Sequence, residues 1–136
     1  EELIRVRDED LKYEVGTIYV RTCKGGIERD QLLAPEIITF LKAHDFNKAY
    51  SLSNMHAIYL RIEAKAGIEH RDGTGWHSPR RSLDTVLVQW NYVKCKIFLR
   101  WKLMGDMALA YVTLDPLKVD KEVFEHHPFL KFWRAT

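Results

Sequence analysis

The stretch Asn91–Leu114, NYVKCKIFLRWKLMGDMALAYVTL, decides the fold. Gly105-Asp106 suits a two-residue hairpin turn with glycine at its first central position. Pairing outward from that turn sets Leu103 opposite Ala108, Trp101 opposite Ala110, Leu99 opposite Val112 and Ile97 opposite Leu114, all of them apolar pairs. The other face pairs Lys102 with Leu109, Arg100 with Tyr111 and Phe98 with Thr113. A slip of one residue scatters both sets, so the spacing predicts a strand over Tyr92–Lys102 and a return strand to Leu114.

The outer face of that predicted strand carries Tyr92, Lys94, Lys96, Phe98, Arg100 and Lys102. Cations alternating with rings suit a phosphate backbone whose bases stack on the aromatics, each stacked base being worth ~1–3 kcal/mol. The structural reading of the same residues is a solvated sheet face, with basic stems covering apolar surface and charges blocking edge pairing.

Toward the N-terminus, LDTVLVQWNYV reads as a helical or irregular entry to this strand, with Ser82 as a cap. Residues 67–82, GIEHRDGTGWHSPRRS, form a long polar loop. A loop above ~12 residues in a compact domain calls for an explanation. Here His70, Arg71, His77, Arg80 and Arg81 surround Trp76. Arginine forks make bidentate phosphate contacts, so Arg71, Arg80 and Arg81 are candidate phosphate clamps. A solvated loop is the alternative.

MHAIYLRIEAK alternates as a strand does, with His56, Ile58, Leu60, Ile62 and Ala64 on one side and Tyr59, Arg61, Glu63 and Lys65 on the other. LKYEVGTIYVRTC alternates too, with its parity changing at Gly16, which predicts a β-bulge. KGGIERD then breaks the strand. APEIITFLKAHDF has Pro35 in a first turn and an apolar stripe of Ile37, Ile38 and Leu41, the pattern of a helix packed on a sheet. A C-terminal helix begins at Asp115-Pro116 or at Asp120, carries Val119, Val123 and Phe124 inward, and is interrupted by Pro128. Residues 128–136 form an aromatic tail in which Phe129, Phe132 and Trp133 dock or stand exposed.

These elements predict an α+β fold: an antiparallel sheet of four to five strands, with the helix after Pro35 and the C-terminal helix packed on one face. At 136 residues the chain is expected to form a single globular domain over 1–136, and a start without methionine is compatible with excision from a longer chain. With 46% hydrophobic and 29% charged residues the composition is that of a soluble globular protein. The formal net charge of +2 does not mark a nucleic-acid binder, so any such case rests on local distribution. Cys23 and Cys95 lack metal spacing and fall in apolar runs, which predicts buried free thiols in a reducing compartment, cytoplasmic or nuclear. No apolar run approaches the ~20 residues of a membrane span.

Two catalytic patterns are weighed against binding. His70-x-Asp72, His126 and Arg134 follow the residue order of an iron site with two histidines and one carboxylate, but too few strands are predicted for the barrel that presents it. Glu63 and Lys65 share a face if their segment is a strand, and with Asp45 they would make a metal-dependent nuclease; a surface ion pair is the favoured explanation of the two. His126-His127 lacks converging carboxylates, and no phosphate-binding glycine loop or zinc spacing is present. The expectation is therefore a non-catalytic domain that binds RNA, single-stranded nucleic acid or another polyanion, with no metal and no cofactor. The first alternative is a protein-interaction or self-assembly domain of structural or viral accessory type, using the tail aromatics. The second is the nuclease.

Overall fold

The computed structural model describes residues 2–22, 25–43, 51–102 and 113–135. Among them the fold is α+β, with three antiparallel strands and six α-helices. Two short 3-10 turns, Leu3–Arg5 and Asp8–Asp10, lead into β1 (Leu11–Lys12), β2 (Thr17–Val20) and β3 (Arg29–Leu32). Helices α1 (Pro35–Ala43), α2 (Leu52–Lys65), α3 (His77–Trp90), α4 (Tyr92–Phe98), α5 (Pro116–His126) and α6 (Pro128–Ala135) follow.

The described sheet has fewer strands than the four to five predicted, and two segments read as strands are helical. MHAIYLRIEAK is helical: Ser51 caps α2 by accepting from the Asn54 N–H, and Met55, Tyr59 and Glu63, four residues apart, form its buried face. Its alternation is incidental, since Ile62 is half exposed. Ala, Leu, Arg, Glu and Lys in its second half are strong helix formers, which tips a short ambiguous run toward helix. The predicted strand over Tyr92–Lys102 is also replaced. Asn91 caps α4 by accepting from the Lys94 N–H, and the helix ends in a turn at Leu99–Arg100. The turn at Gly105-Asp106 and its return segment through Val112 lie outside the described residues, as do Cys23 and Asp45.

Gly16 reverses the chain instead of bulging it. Its φ of 69° suits the turn over Tyr13–Gly16 that sets Leu11 opposite Ile18 and Lys12 opposite Thr17. A Cβ added there would lie 3.1 Å from the Ile38 side chain of α1, so glycine is required both by the turn and by the close approach of the helix. β3, which the sequence reading treats as part of a break, pairs Thr17 with Leu32 and Val20 with Arg29. The helix after Pro35 forms as expected, and so does the C-terminal one, with Asp115 as cap accepting from the Leu117 N–H. The tail after Pro128 continues as α6.

The core gathers α3, α4 and α5: Leu83 and Leu87 meet Cys95, Ile97 and Phe98, and these meet Val119, Val123 and Phe124. Full burial of one such side chain stabilises the fold by roughly 1.5–3 kcal/mol. The sheet is tied to this core through charge, because Arg29 of β3 pairs with the fully buried Asp120 of α5. Cys95 is free and buried.

Candidate anion-binding cleft

The polar stretch predicted as a loop over 67–82 stops at Trp76, and His77 begins α3. Pro79 sits in the first turn, where its missing N–H costs nothing. Once this segment is helical, His77, Arg80, Arg81 and Asp84 fall at positions i, i+3, i+4 and i+7 and form one stripe. Leu83 and Leu87, on the flank of the helix next to the stripe, are buried. Trp101, just beyond α4, faces the stripe, and the five residues line an open cleft of about 440 Å³.

Each wall has its own support. Arg80 Nη2 donates to the Leu99 carbonyl at 2.6 Å, so the arginine holds the turn after α4 against α3. Partial burial pulls its pKa below the ordinary arginine value, with the Glu2 carboxylate opposing that pull. Asp84 Oδ1 accepts from the Cys95 thiol at 3.3 Å. Burial first, and then Asp84, push the Cys95 thiol up to about 12. Lys96 stands over Trp101 with Nζ 3.4 Å from the ring centroid, and over Tyr92 at 5.0 Å. Arg81 is exposed and makes no side-chain hydrogen bond or ion pair with another described residue. The cleft thus offers two guanidinium groups, an imidazole and an indole against one carboxylate, a composition that suits an anion with a planar group attached.

The expected sheet-face set is divided by this arrangement. Tyr92 and Lys96, four apart on α4, lie beside the cleft through Trp101, whereas Lys94 points to α5, ion-paired with Glu122 and over the Trp90 ring at 5.6 Å. Phe98 is in the core, edge-on to Phe124 with centroids 6.4 Å apart. Arg100 is buried and paired with Glu2, and Lys102 is exposed. Alternate positions of a strand share a face, but in a helix they diverge by about 200°, which is why the six do not form one surface. Arg80 and Arg81 join the cleft; Arg71 stays in the exposed loop before Trp76. The Trp76 indole N–H is committed to the Met55 carbonyl at 2.8 Å, and its ring stands edge-on to Tyr59. The sequence reading omitted Trp101 from its site and ranked His77 below its neighbours. The stripe from His77 to Asp84 was the available signal.

Of the three nuclease candidates, Asp45 lies outside the described residues. Glu63 and Lys65 lie on α2 two residues apart, Glu63 inward and Lys65 in solvent. The Glu63 carboxylate holds His70 Nδ1 at 2.6 Å. Its burial opposes ionisation, and hydrogen bonds from His70 and Tyr59 outweigh that and lower its pKa. Among the described residues no group of three or more His, Cys, Asp or Glu side chains is placed to hold a metal ion. No described helix is long and apolar enough to cross a membrane.

In the tail, Leu130 is buried while Phe132 is 73% exposed. Trp133 stands edge-on to Phe40 of α1 at 6.0 Å, and Arg134 bonds Glu36 at 2.5 Å, so two of the last residues of α6 hold it to α1. Phe129 is half exposed, its ring 5.6 Å from that of His127.

No protein-family model, curated protein or solved structure matches this chain.

Proposed function

We propose that this chain is a non-catalytic binding domain for a phosphodiester polyanion, in the first instance RNA or another single-stranded nucleic acid. The observation that carries the reading is the cleft between α3 and the segment after α4, where His77, Arg80 and Arg81 converge with Trp101. Guanidinium forks engage phosphate oxygens, and the indole supplies a surface for a base or sugar. Tyr92 and Lys96 extend the surface along α4. Arg71, in the loop before α3, is a more distant phosphate contact.

The test is fluorescence anisotropy of labelled single-stranded RNA at low and physiological salt. Salt-sensitive binding that Arg81→Glu abolishes supports the reading. Equal affinity of the wild type and Arg81→Glu at low salt rejects it. A second reading, self-association through α6, draws on the 73% exposure of Phe132. It predicts a mass that rises with concentration in the wild type and not in Phe132→Ser.

A further inference from the structure

At the edge of the cleft, one carboxylate oxygen serves two arginines. Glu2 Oε2 lies 2.6 Å from Arg100 Nη2 and 3.6 Å from Arg80 Nη1. Arg100 is the more unusual partner. Its residue is only 6% exposed, and its Nε and Nη1 are buried without a hydrogen-bond partner. Its backbone has a φ of 59°, a left-handed conformation that is strained for a residue bearing a side chain. Such strain persists where the surroundings over-determine it, and ligand clamps are one such setting. The surroundings here are explicit: the Leu99 carbonyl is held by Arg80 and the Arg100 carbonyl by the Ile27 N–H at 3.0 Å.

A buried guanidinium with two orphan nitrogens has donor capacity that Glu2 does not use. A tetrahedral oxyanion presents more oxygens than the single carboxylate oxygen now engaged, and the planar arginine fork can donate to two of them at once. We propose that Arg80 and Arg100 form a phosphate-binding site that Glu2 occupies from within the chain, so that the N-terminal segment competes with phosphate for entry to the cleft. The phosphate is either free or part of a polymer, and only the polymer case rests on the nucleic-acid reading above. Displacing Glu2 removes its negative charge, exposes both arginines to the ligand and frees the segment through Arg5, whose N–H is bonded to the Glu2 carbonyl at 3.1 Å.

The experiment uses the full chain and inorganic phosphate, titrated calorimetrically against a chloride background of constant ionic strength. Glu2→Gln should bind phosphate about tenfold more tightly than the wild type, because a like charge within a few ångströms of the ligand is gone. Arg100→Gly, added to Glu2→Gln, should keep the fold, since glycine adopts this φ without strain, and should lose the gain. In the wild type, the Nε–H signals of Arg80 and Arg100 should shift on adding phosphate, a readout independent of any substitution. Phosphate affinity unchanged by Glu2→Gln, or a gain that survives Arg100→Gly, overturns the proposal. Labelled single-stranded RNA separates the two ideas. If RNA and phosphate bind Glu2→Gln and the wild type equally, the internal competitor is rejected while the cleft reading stands. If no variant binds RNA and the phosphate gain persists, the anion site is upheld and the nucleic-acid reading falls.

Discussion

Arg29 of β3 and Asp120 of α5 form a bidentate ion pair, Nη1 to Oδ2 at 2.8 Å and Nη2 to Oδ1 at 2.6 Å, across 91 residues of sequence. The Leu32 N–H adds a third donor to Asp120 at 2.9 Å. Burial pushes the Asp120 carboxyl upward in pKa, with Arg29 and the Leu32 N–H pulling the other way. Removing one partner leaves the other charge buried and uncompensated, which costs roughly 3–5 kcal/mol. Asp120→Ala should therefore lower the unfolding free energy by about that amount, read from urea denaturation. A loss within the ~0.5 kcal/mol typical of surface sites would mean that the pair does not join sheet to core.

His127, between α5 and α6, makes the fold acid-sensitive. Burial lowers its pKa below the ordinary value of 6.5, and its Nδ1 has no hydrogen-bond partner. The unfolded chain then takes up a proton more readily than the folded one, so this contribution to stability is complete above pH 6.5 and is lost as pH falls through the folded value. The rings of Phe98 and Phe129 lie 6.2 and 5.6 Å away and offer no counter-charge. His127→Phe should flatten the decline in melting temperature as pH falls below 6.5. An unchanged slope would assign the decline to carboxylates.

The misread elements show which information the sequence carried locally. Ser51 and Asn91 are both good caps, and both precede helices that short-range alternation presented as strands. In an apolar run of seven to eleven residues, periods of 2 and 3.6 share many positions, so the cap rather than the alternation held the answer. β3 had no local signature, because RDQL neither alternates nor is apolar. It is a strand because its backbone pairs with β2, and Arg29 and Leu32 both anchor it to Asp120, which are long-range conditions. The cleft is half legible: the sequence marks Arg80 and Arg81 as candidate phosphate contacts, but their spacing with His77 and Asp84 has meaning only on a helix. Trp101 was assigned to the core-facing side of a strand, and its ring instead meets Lys96.

Cys95 should be chemically silent in the folded protein. It is fully buried, and its thiol pKa is pushed up to about 12 by burial and by Asp84. The thiolate is the reactive species, so alkylation at pH 8 should leave the Cys95 peptide unmodified in native protein and label it in urea. Mass spectrometry of the Cys95 peptide gives the answer directly. Modification of the native protein at the rate of a free thiol would contradict this packing.

The cleft makes a prediction that separates charge from stacking. Arg81 is exposed on the cleft stripe, so its contribution to RNA binding should be a phosphate contact that releases one condensed counterion. Arg81→Gln should therefore reduce the magnitude of the slope of log K against log salt by about 0.7, with the loss of affinity fading as salt rises. Trp101 works differently. Its ring carries Lys96 at 3.4 Å, so Trp101→Ala removes a stacking surface and releases the lysine. The expected loss is ~1–3 kcal/mol at every salt concentration, with a nearly unchanged slope, since stacking displaces no counterions. The two variants measured over one salt series give parallel lines for Trp101→Ala against wild type and converging lines for Arg81→Gln. Converging lines for both would make Trp101 a support for Lys96 rather than a platform for a base, and parallel lines for both would remove the phosphate contact from Arg81.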